Sequence, residues 1–153
     1  MNSVRCLTIV LTGALALFWQ LAPAQAANPF FCTNYATAAM QSVNAAKANR
    51  CGFAGPRWVA NFNGHRNWCL FVDESMANAE TAARQNELHP CQCEFYANQA
   101  MVQIANAIWK KCGFGGPRWI ENRAPHQNWC MSVPAGNVIF EAQQRQNMLA
   151  ACP

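Results

Sequence analysis

Apolar residues recur at the three-to-four-residue spacing of a helix face in two stretches of the chain. The first stretch, residues 34–50, contains no glycine or proline and is rich in alanine. The second lies 61 residues later and has the same spacing. The pattern predicts an amphipathic helix in each stretch. The apolar positions are Tyr35, Ala39, Val43 and Ala46, and then Tyr96, Ala100, Ile104 and Ala107.

The 61-residue offset applies to most of the chain. Residues 32–91 overlay residues 93–152 without a gap, and 25 of the 60 aligned positions are identical. Repetition at a fixed period indicates one structural unit used twice. Because only Gln92 separates the two units, we expect them to pack together as one small domain.

The identical positions concentrate in one segment of each unit. Between residues 51–69 and 112–130, 12 of 19 positions agree, against 13 of 41 elsewhere. A second helix is predicted after this segment, beginning near Asp73 and near Pro134, with Pro90 ending the first copy. Each unit is therefore predicted to be a helical hairpin with a long ordered loop. The fold is predicted to be mainly α, with two disulfide-stapled hairpins in tandem.

The ends of the first helices carry two further signals. Lys47 and Arg50 occupy the last turn of the first copy, where cations interact favourably with the carbonyl end of a helix. Gly52 and Gly113 follow in the two copies, and glycine is the residue most often found in the left-handed C′ position. We therefore expect these two glycines to terminate the helices.

The N-terminus has the pattern of an export signal. Arg5 precedes an uncharged apolar run, residues 7–21, and residues 24–26 give the small-x-small pattern of a cleavage site. The alternative is an uncleaved membrane anchor, but the run is short for a bilayer span. We predict a signal peptide over residues 1–26, a tail over residues 27–31 and a periplasmic or secreted protein. After cleavage no membrane span is expected.

Cysteines are the second sign of export. Eight remain after residues 1–26 are removed, and an even number in a short exported chain predicts a disulfide framework. Their spacing lacks the C-x-x-C pairs of common metal sites. These residues are Cys32, Cys51, Cys69, Cys91, Cys93, Cys112, Cys130 and Cys152.

Helix geometry restricts how these cysteines pair. A helix of about 17 residues separates Cys32 from Cys51 by roughly 25 Å, whereas a disulfide requires Cα atoms within about 7 Å. An antiparallel hairpin then predicts nested pairs in each unit. The alternative, Cys32–Cys69 with Cys51–Cys91, requires the two helices of a unit to run parallel. The predicted pairs are Cys51–Cys69, Cys32–Cys91, Cys112–Cys130 and Cys93–Cys152.

The net charge of the chain is small and positive. The whole chain has a formal charge of +4, and removing residues 1–26 takes away only Arg5, which leaves ten cationic and seven acidic side chains. The charges form no run. Nucleic-acid-binding proteins usually concentrate far more positive charge on one face, so we do not expect a nucleic-acid partner.

The repeated loops hold the candidate ligand-binding residues. Exposed tryptophans beside arginine and histidine are typical of surfaces that stack sugars or bind peptides. In the competing interpretation the same side chains work internally: the arginines bind Glu80 and Glu141, the histidines bind loop backbone and the tryptophans form the core. The candidates are Arg57, Trp58, His65, Trp68, Arg118, Trp119, His126 and Trp129.

Motifs of common enzymes do not occur in the sequence. It has no G-x-S-x-G, no H-E-x-x-H, no phosphate-binding glycine loop with lysine and no EF-hand loop. We therefore predict no catalytic residue, no cofactor and no metal site. The expected function is a non-enzymatic binding module for a cell-wall glycan or a protein. The alternatives are a metal-handling protein that uses His65 and His126, and a structural envelope protein without a ligand.

Overall fold

The computed structural model describes residues 26–153, which form helices joined by turns, without strands. The predicted signal peptide lies outside these residues, except for Ala26. None of the described helices is long and apolar enough to cross a bilayer. Single-turn 3-10 helices lie at Pro56–Trp58 and Pro117–Trp119. The α-helices are α1 (Pro29–Ala48), α2 (Phe62–Leu70), α3 (Glu74–Trp109), α4 (Arg123–Ser132) and α5 (Ala135–Ala151). The mainly α prediction is confirmed.

Helix α1 begins before the predicted stretch of residues 34–50 and ends before Gly52. The Asn28 side chain accepts the Phe31 N–H at 2.8 Å, so residues 29–31 form the first turn. At the other end Arg50, not Gly52, takes the left-handed C′ conformation, with φ +56°. The predicted glycine termination is therefore wrong by two residues, and Lys111 repeats the exception at φ +59°. Cys51 follows this turn and is bonded to Cys91.

Helix α3 belongs to both units. Its 36 residues run without a break through Pro90, so the prediction that this proline ends a helix is wrong. Proline in a helix interior costs about 3 kcal/mol. Here the cost is offset because the helix buries Leu88 in the first unit and Cys93 in the second. The predicted starts are confirmed, since Asp73 caps α3 and Pro134 precedes α5.

Helix α1 and the first half of α3 run in the same direction. Asn28, just before α1, donates to Glu74 in the first turn of α3 at 2.9 Å. Further along both helices, Gln85 donates to Ser42 at 3.1 Å. The chain returns between them through the 3-10 turn and α2, which packs against α1. The connection is thus an ordered path that leads from the end of α1 back to its start.

This parallel arrangement overturns the nested disulfide prediction. The structure pairs Cys32 with Cys69 and Cys51 with Cys91, at Cα–Cα distances of 5.4 and 5.7 Å. The second unit repeats the pattern as Cys93–Cys130 and Cys112–Cys152. The prediction failed because it assumed antiparallel helices, whereas α2 brings Cys69 back to the start of α1. Each bridge is worth about 4 kcal/mol in the chain-entropy model, and four bridges indicate an oxidising environment.

The two units share a helix rather than a buried cluster. Each cluster of buried residues in the described part of the chain draws on one unit only. Helix α1 packs on one part of α3, and α5 packs on the other. Each unit therefore has its own buried interior. The largest fully buried side chains in the two interiors are Arg84 and Arg145.

Candidate functional site

Each unit contains one cleft between its repeated loop and the helix that follows. The cleft of the first unit has a volume of about 570 Å³, and that of the second about 470 Å³. We call them cleft 1 and cleft 2. Residues at equivalent positions line both. They are Tyr35, Arg57, His65, Trp68, Glu80 and Arg84 in cleft 1, and Tyr96, Arg118, His126, Trp129, Glu141 and Arg145 in cleft 2.

A buried arginine organises the floor of cleft 1. Arg84 is 1% exposed, and its Nε donates to the backbone carbonyl of Arg57 at 3.3 Å. Its Nη2 donates to the Tyr35 hydroxyl at 3.2 Å and lies 3.5 Å from Glu80 Oε1. A buried cation is tolerated only when it is paired and hydrogen-bonded. Arg84 therefore fixes the loop, α1 and α3 relative to one another.

The equivalent Arg145 makes the same bonds in cleft 2. Its Nε donates to the Arg118 carbonyl at 3.0 Å, and its Nη2 donates to the Tyr96 hydroxyl at 2.9 Å. Burial raises the pKa of the Tyr96 hydroxyl, so this group stays neutral and can accept the bond. The second unit reproduces the floor of the first.

The loop arginines are bound internally. Arg57 forms two parallel hydrogen bonds with the Glu80 carboxylate, 2.6 Å from Nε to Oε1 and 2.9 Å from Nη2 to Oε2. The pair Arg118–Glu141 has the same two distances. Hydrogen bonding from Arg57 holds the pKa of Glu80 below its usual value. The internal interpretation of these arginines is confirmed, although both side chains keep about a third of their surface exposed.

The loop histidines bind backbone, as the internal interpretation expected. His65 Nε2 lies 2.8 Å from the Val59 carbonyl, and His126 Nε2 lies 2.9 Å from the Ile120 carbonyl. His126 Nδ1 also accepts a hydrogen bond from Arg145 Nη2 at 3.1 Å. A ring that donates from Nε2 and accepts at Nδ1 is neutral. Burial, and then the positive charge of Arg145, lower the pKa of His126 accordingly.

The four loop tryptophans divide into two kinds. Trp58 and Trp119 are 8% and 7% exposed and belong to the buried clusters, which agrees with the core interpretation. Trp68 and Trp129 are 38% and 36% exposed. Each of these two packs against the cleft tyrosine, with ring centroids 5.4 and 5.6 Å apart. The exposed pair presents indole surface at the clefts.

The two histidines do not form a common site. His65 lines cleft 1 and His126 lines cleft 2. Within residues 26–153 no group of three or more His, Cys, Asp or Glu side chains is arranged to hold a metal ion. No geometric observation therefore favours the metal-handling alternative.

The buried arginines were not among the site residues predicted from the sequence. Glu80 and Arg84 are four apart on a helix, a spacing that is typical of an ordinary, exposed ion pair. Both positions, and also Tyr35, are identical in the second unit. These residues are identical in the two units although they lie outside the repeated loop, and this identity could have indicated that they contact the loop residues.

The two clefts lie on different parts of α3. Arg84 and Tyr96 both lie on α3 and line different clefts. Twelve residues separate them, which corresponds to about 18 Å along the helix axis. The two clefts are therefore separate sites.

Comparison of the chain with protein-family models, with curated proteins and with solved structures gives no match. Function must therefore be argued from the clefts.

Proposed function

We propose that the protein binds carbohydrate of the cell envelope through two related sites, clefts 1 and 2. The observation that supports this most directly is that each cleft combines a partly exposed indole, Trp68 or Trp129, with a polar floor of arginine, glutamate and histidine. The same combination occurs twice in a chain whose units otherwise differ at most positions.

The chemistry of the lining suits a sugar. The indole face offers a flat apolar surface for the C–H groups of a pyranose ring. Around it, fixed donors and acceptors can bind hydroxyl groups without having to reorganise, because Arg57 and Glu80 already hold each other in place. Ligand pockets typically combine apolar surface with a few fixed polar groups in this way.

Two separate clefts allow bridging. Because their lining residues Arg84 and Tyr96 lie about 18 Å apart along α3, each cleft can take its own polymer strand or its own arm of a branched glycan. Binding of a repetitive polymer at both sites gains avidity when the geometry permits simultaneous contact. We therefore propose that the protein crosslinks glycan strands.

The proposed location is the periplasm or the cell exterior. Four disulfides and the signal-peptide pattern of residues 1–26 support this.

A non-enzymatic role agrees with the bonding in the clefts. The Glu80 carboxylate is held by Arg57 and Arg84, and its lowered pKa makes it a poor proton donor. His126 has both ring nitrogens engaged. These groups are occupied in ways that suit binding rather than proton transfer.

A sedimentation assay with insoluble cell-wall polymer tests the proposal. The double variant Trp68→Ala/Trp129→Ala is expected to leave at least about tenfold less protein on the polymer, because both stacking surfaces are removed. Trp109→Ala is the matched control, since this tryptophan is 82% exposed and lines neither cleft. Equal retention of the double variant and the wild type would refute the proposal.

A further inference from the structure

The two clefts differ at one position that touches their arginines. In the first unit the Glu87 carboxylate accepts hydrogen bonds from Arg57 Nη1 and from Trp58 Nε1, the latter at 2.9 Å. Arg57 thus binds a second carboxylate, that of Glu87, in addition to that of Glu80. The equivalent residue in the second unit, 61 positions later, is Met148.

The methionine leaves two donors without a carboxylate. Arg118 Nη1 contacts Met148 Sδ at 3.4 Å, and a thioether sulfur is a weak acceptor. Trp119 Nε1 is buried and has no hydrogen-bond partner within the described part of the chain. A buried donor without a partner carries an energetic cost, which an incoming acceptor would relieve.

The charge of the two clefts differs for the same reason. In cleft 1 two arginines face two glutamates, and the charges cancel. In cleft 2 two arginines face only Glu141, which leaves one positive charge. Arg145 Nη1 adds a further buried N–H that lacks a partner within residues 26–153.

We infer that cleft 2 is a carboxylate-binding site, in which a ligand carboxylate takes the place that the Glu87 side chain occupies in the first unit. Arg118 Nη1 binds the carboxylate, and Trp119 Nε1 becomes accessible when the flexible Met148 side chain moves aside. Together with the proposed function, on which this assignment of the ligand rests, the carboxylate belongs to an acidic sugar of the uronic acid type. Cleft 1, which carries its own carboxylate, takes a neutral sugar.

Indole N–H signals of the intact, oxidised protein in ¹H–¹⁵N spectra provide the test. Sodium glucuronate, glucose and sodium acetate are titrated separately. Trp129, which lines cleft 2, and Trp119, whose Nε1 the inferred carboxylate reaches, report on binding there. Glucuronate is expected to saturate these signals at a concentration at least about tenfold below that of glucose. The preference should weaken as salt is added, because the interaction is between charges near the surface.

Reciprocal substitutions provide the matched controls. Met148→Glu rebuilds the arrangement of the first unit and is expected to abolish the preference for glucuronate in cleft 2. Glu87→Met is expected to create that preference in cleft 1, reported by Trp58 and Trp68. Met148→Leu, which adds no charge, should keep the wild-type behaviour and shows whether substitution itself disturbs the fold.

The outcomes separate this inference from the proposed function. If glucuronate and glucose saturate cleft 2 alike in the wild type and in Met148→Glu, the carboxylate site is wrong and sugar binding stands. If acetate shifts the signals in the wild type but not in Met148→Glu, while neither sugar binds, the carboxylate site stands and the glycan proposal fails. If none of the three probes shifts a signal, both are overturned.

Discussion

The guanidinium of Arg84 donates to the hydroxyl of Tyr35 at 3.2 Å, in the interior of a unit with few large apolar side chains. The guanidinium also lies over the tyrosine ring, 5.5 Å from its centroid. Since the same arginine binds the loop carbonyl of Arg57, it connects the helices to the cleft. The two units are therefore each built around a buried cation as well as around disulfides.

Removal of the buried arginine should be strongly destabilising. Arg84→Ala would leave the Tyr35 hydroxyl and the Arg57 carbonyl without their donor and open a cavity. We expect the free energy of unfolding, measured by urea denaturation with disulfides intact, to fall by about 3–5 kcal/mol. The exposed Lys47→Ala should change it by no more than about 0.5 kcal/mol. A loss of similar size in both variants would contradict the role assigned to Arg84.

The two loop arginines should contribute unequally to stability. Arg57 is bound by two carboxylates and Arg118 by one. Both are partly exposed, so we expect Arg57→Ala to cost about 1–2 kcal/mol and Arg118→Ala about half of that. Thermal unfolding of the two variants gives the comparison. Unchanged melting temperatures in both would show that the arginines are not structural.

His126 should make stability depend on pH. In the unfolded chain it titrates near its ordinary pKa of 6.5, whereas burial lowers its pKa in the folded protein. The unfolded state thus binds more protons below pH 6.5, so this contribution to stability is complete above that pH and is lost as the pH falls towards the folded pKa. Urea midpoints should therefore drop between pH 7.5 and pH 5 more in the wild type than in His126→Gln. Parallel profiles would rule this out.

Disulfide mapping tests the parallel arrangement of the helices. Digestion of the unreduced protein should yield peptides joined as Cys32–Cys69 and Cys51–Cys91, with the equivalent pairs in the second unit. The nested pairs, such as Cys51–Cys69, require antiparallel helices. Their recovery as the main species would invalidate the fold described above.

Local patterns were sufficient for the long helices and for the starts of α3 and α5. Apolar spacing identified α1 and the second half of α3, and Asp73 was recognised before α3 because aspartate caps helices well. These features depend on residues within a few positions of one another. Sequence reasoning reaches such features because the interactions that decide them are local.

Features that depend on distant contacts were not predictable in the same way. Helix α2 includes Asn63, Gly64 and Asn67, which have little helical preference, so the return path that decides the disulfide pairing was hidden. Pro90 gave a local signal to stop, which packing on both sides overrides. Glu80 and Arg84 have the same spacing whether exposed or buried, so only the folded environment distinguishes the two.

Calorimetric titration with a soluble cell-wall oligosaccharide tests the central claim most directly, because it counts sites. With one site in each cleft, the wild type is expected to bind two molecules of an oligosaccharide that contains both neutral and acidic sugars, Trp68→Ala or Trp129→Ala one, and the double variant none. Trp109→Ala should bind two. A stoichiometry that stays the same in all four variants, or an absence of heat in the wild type, would contradict the account.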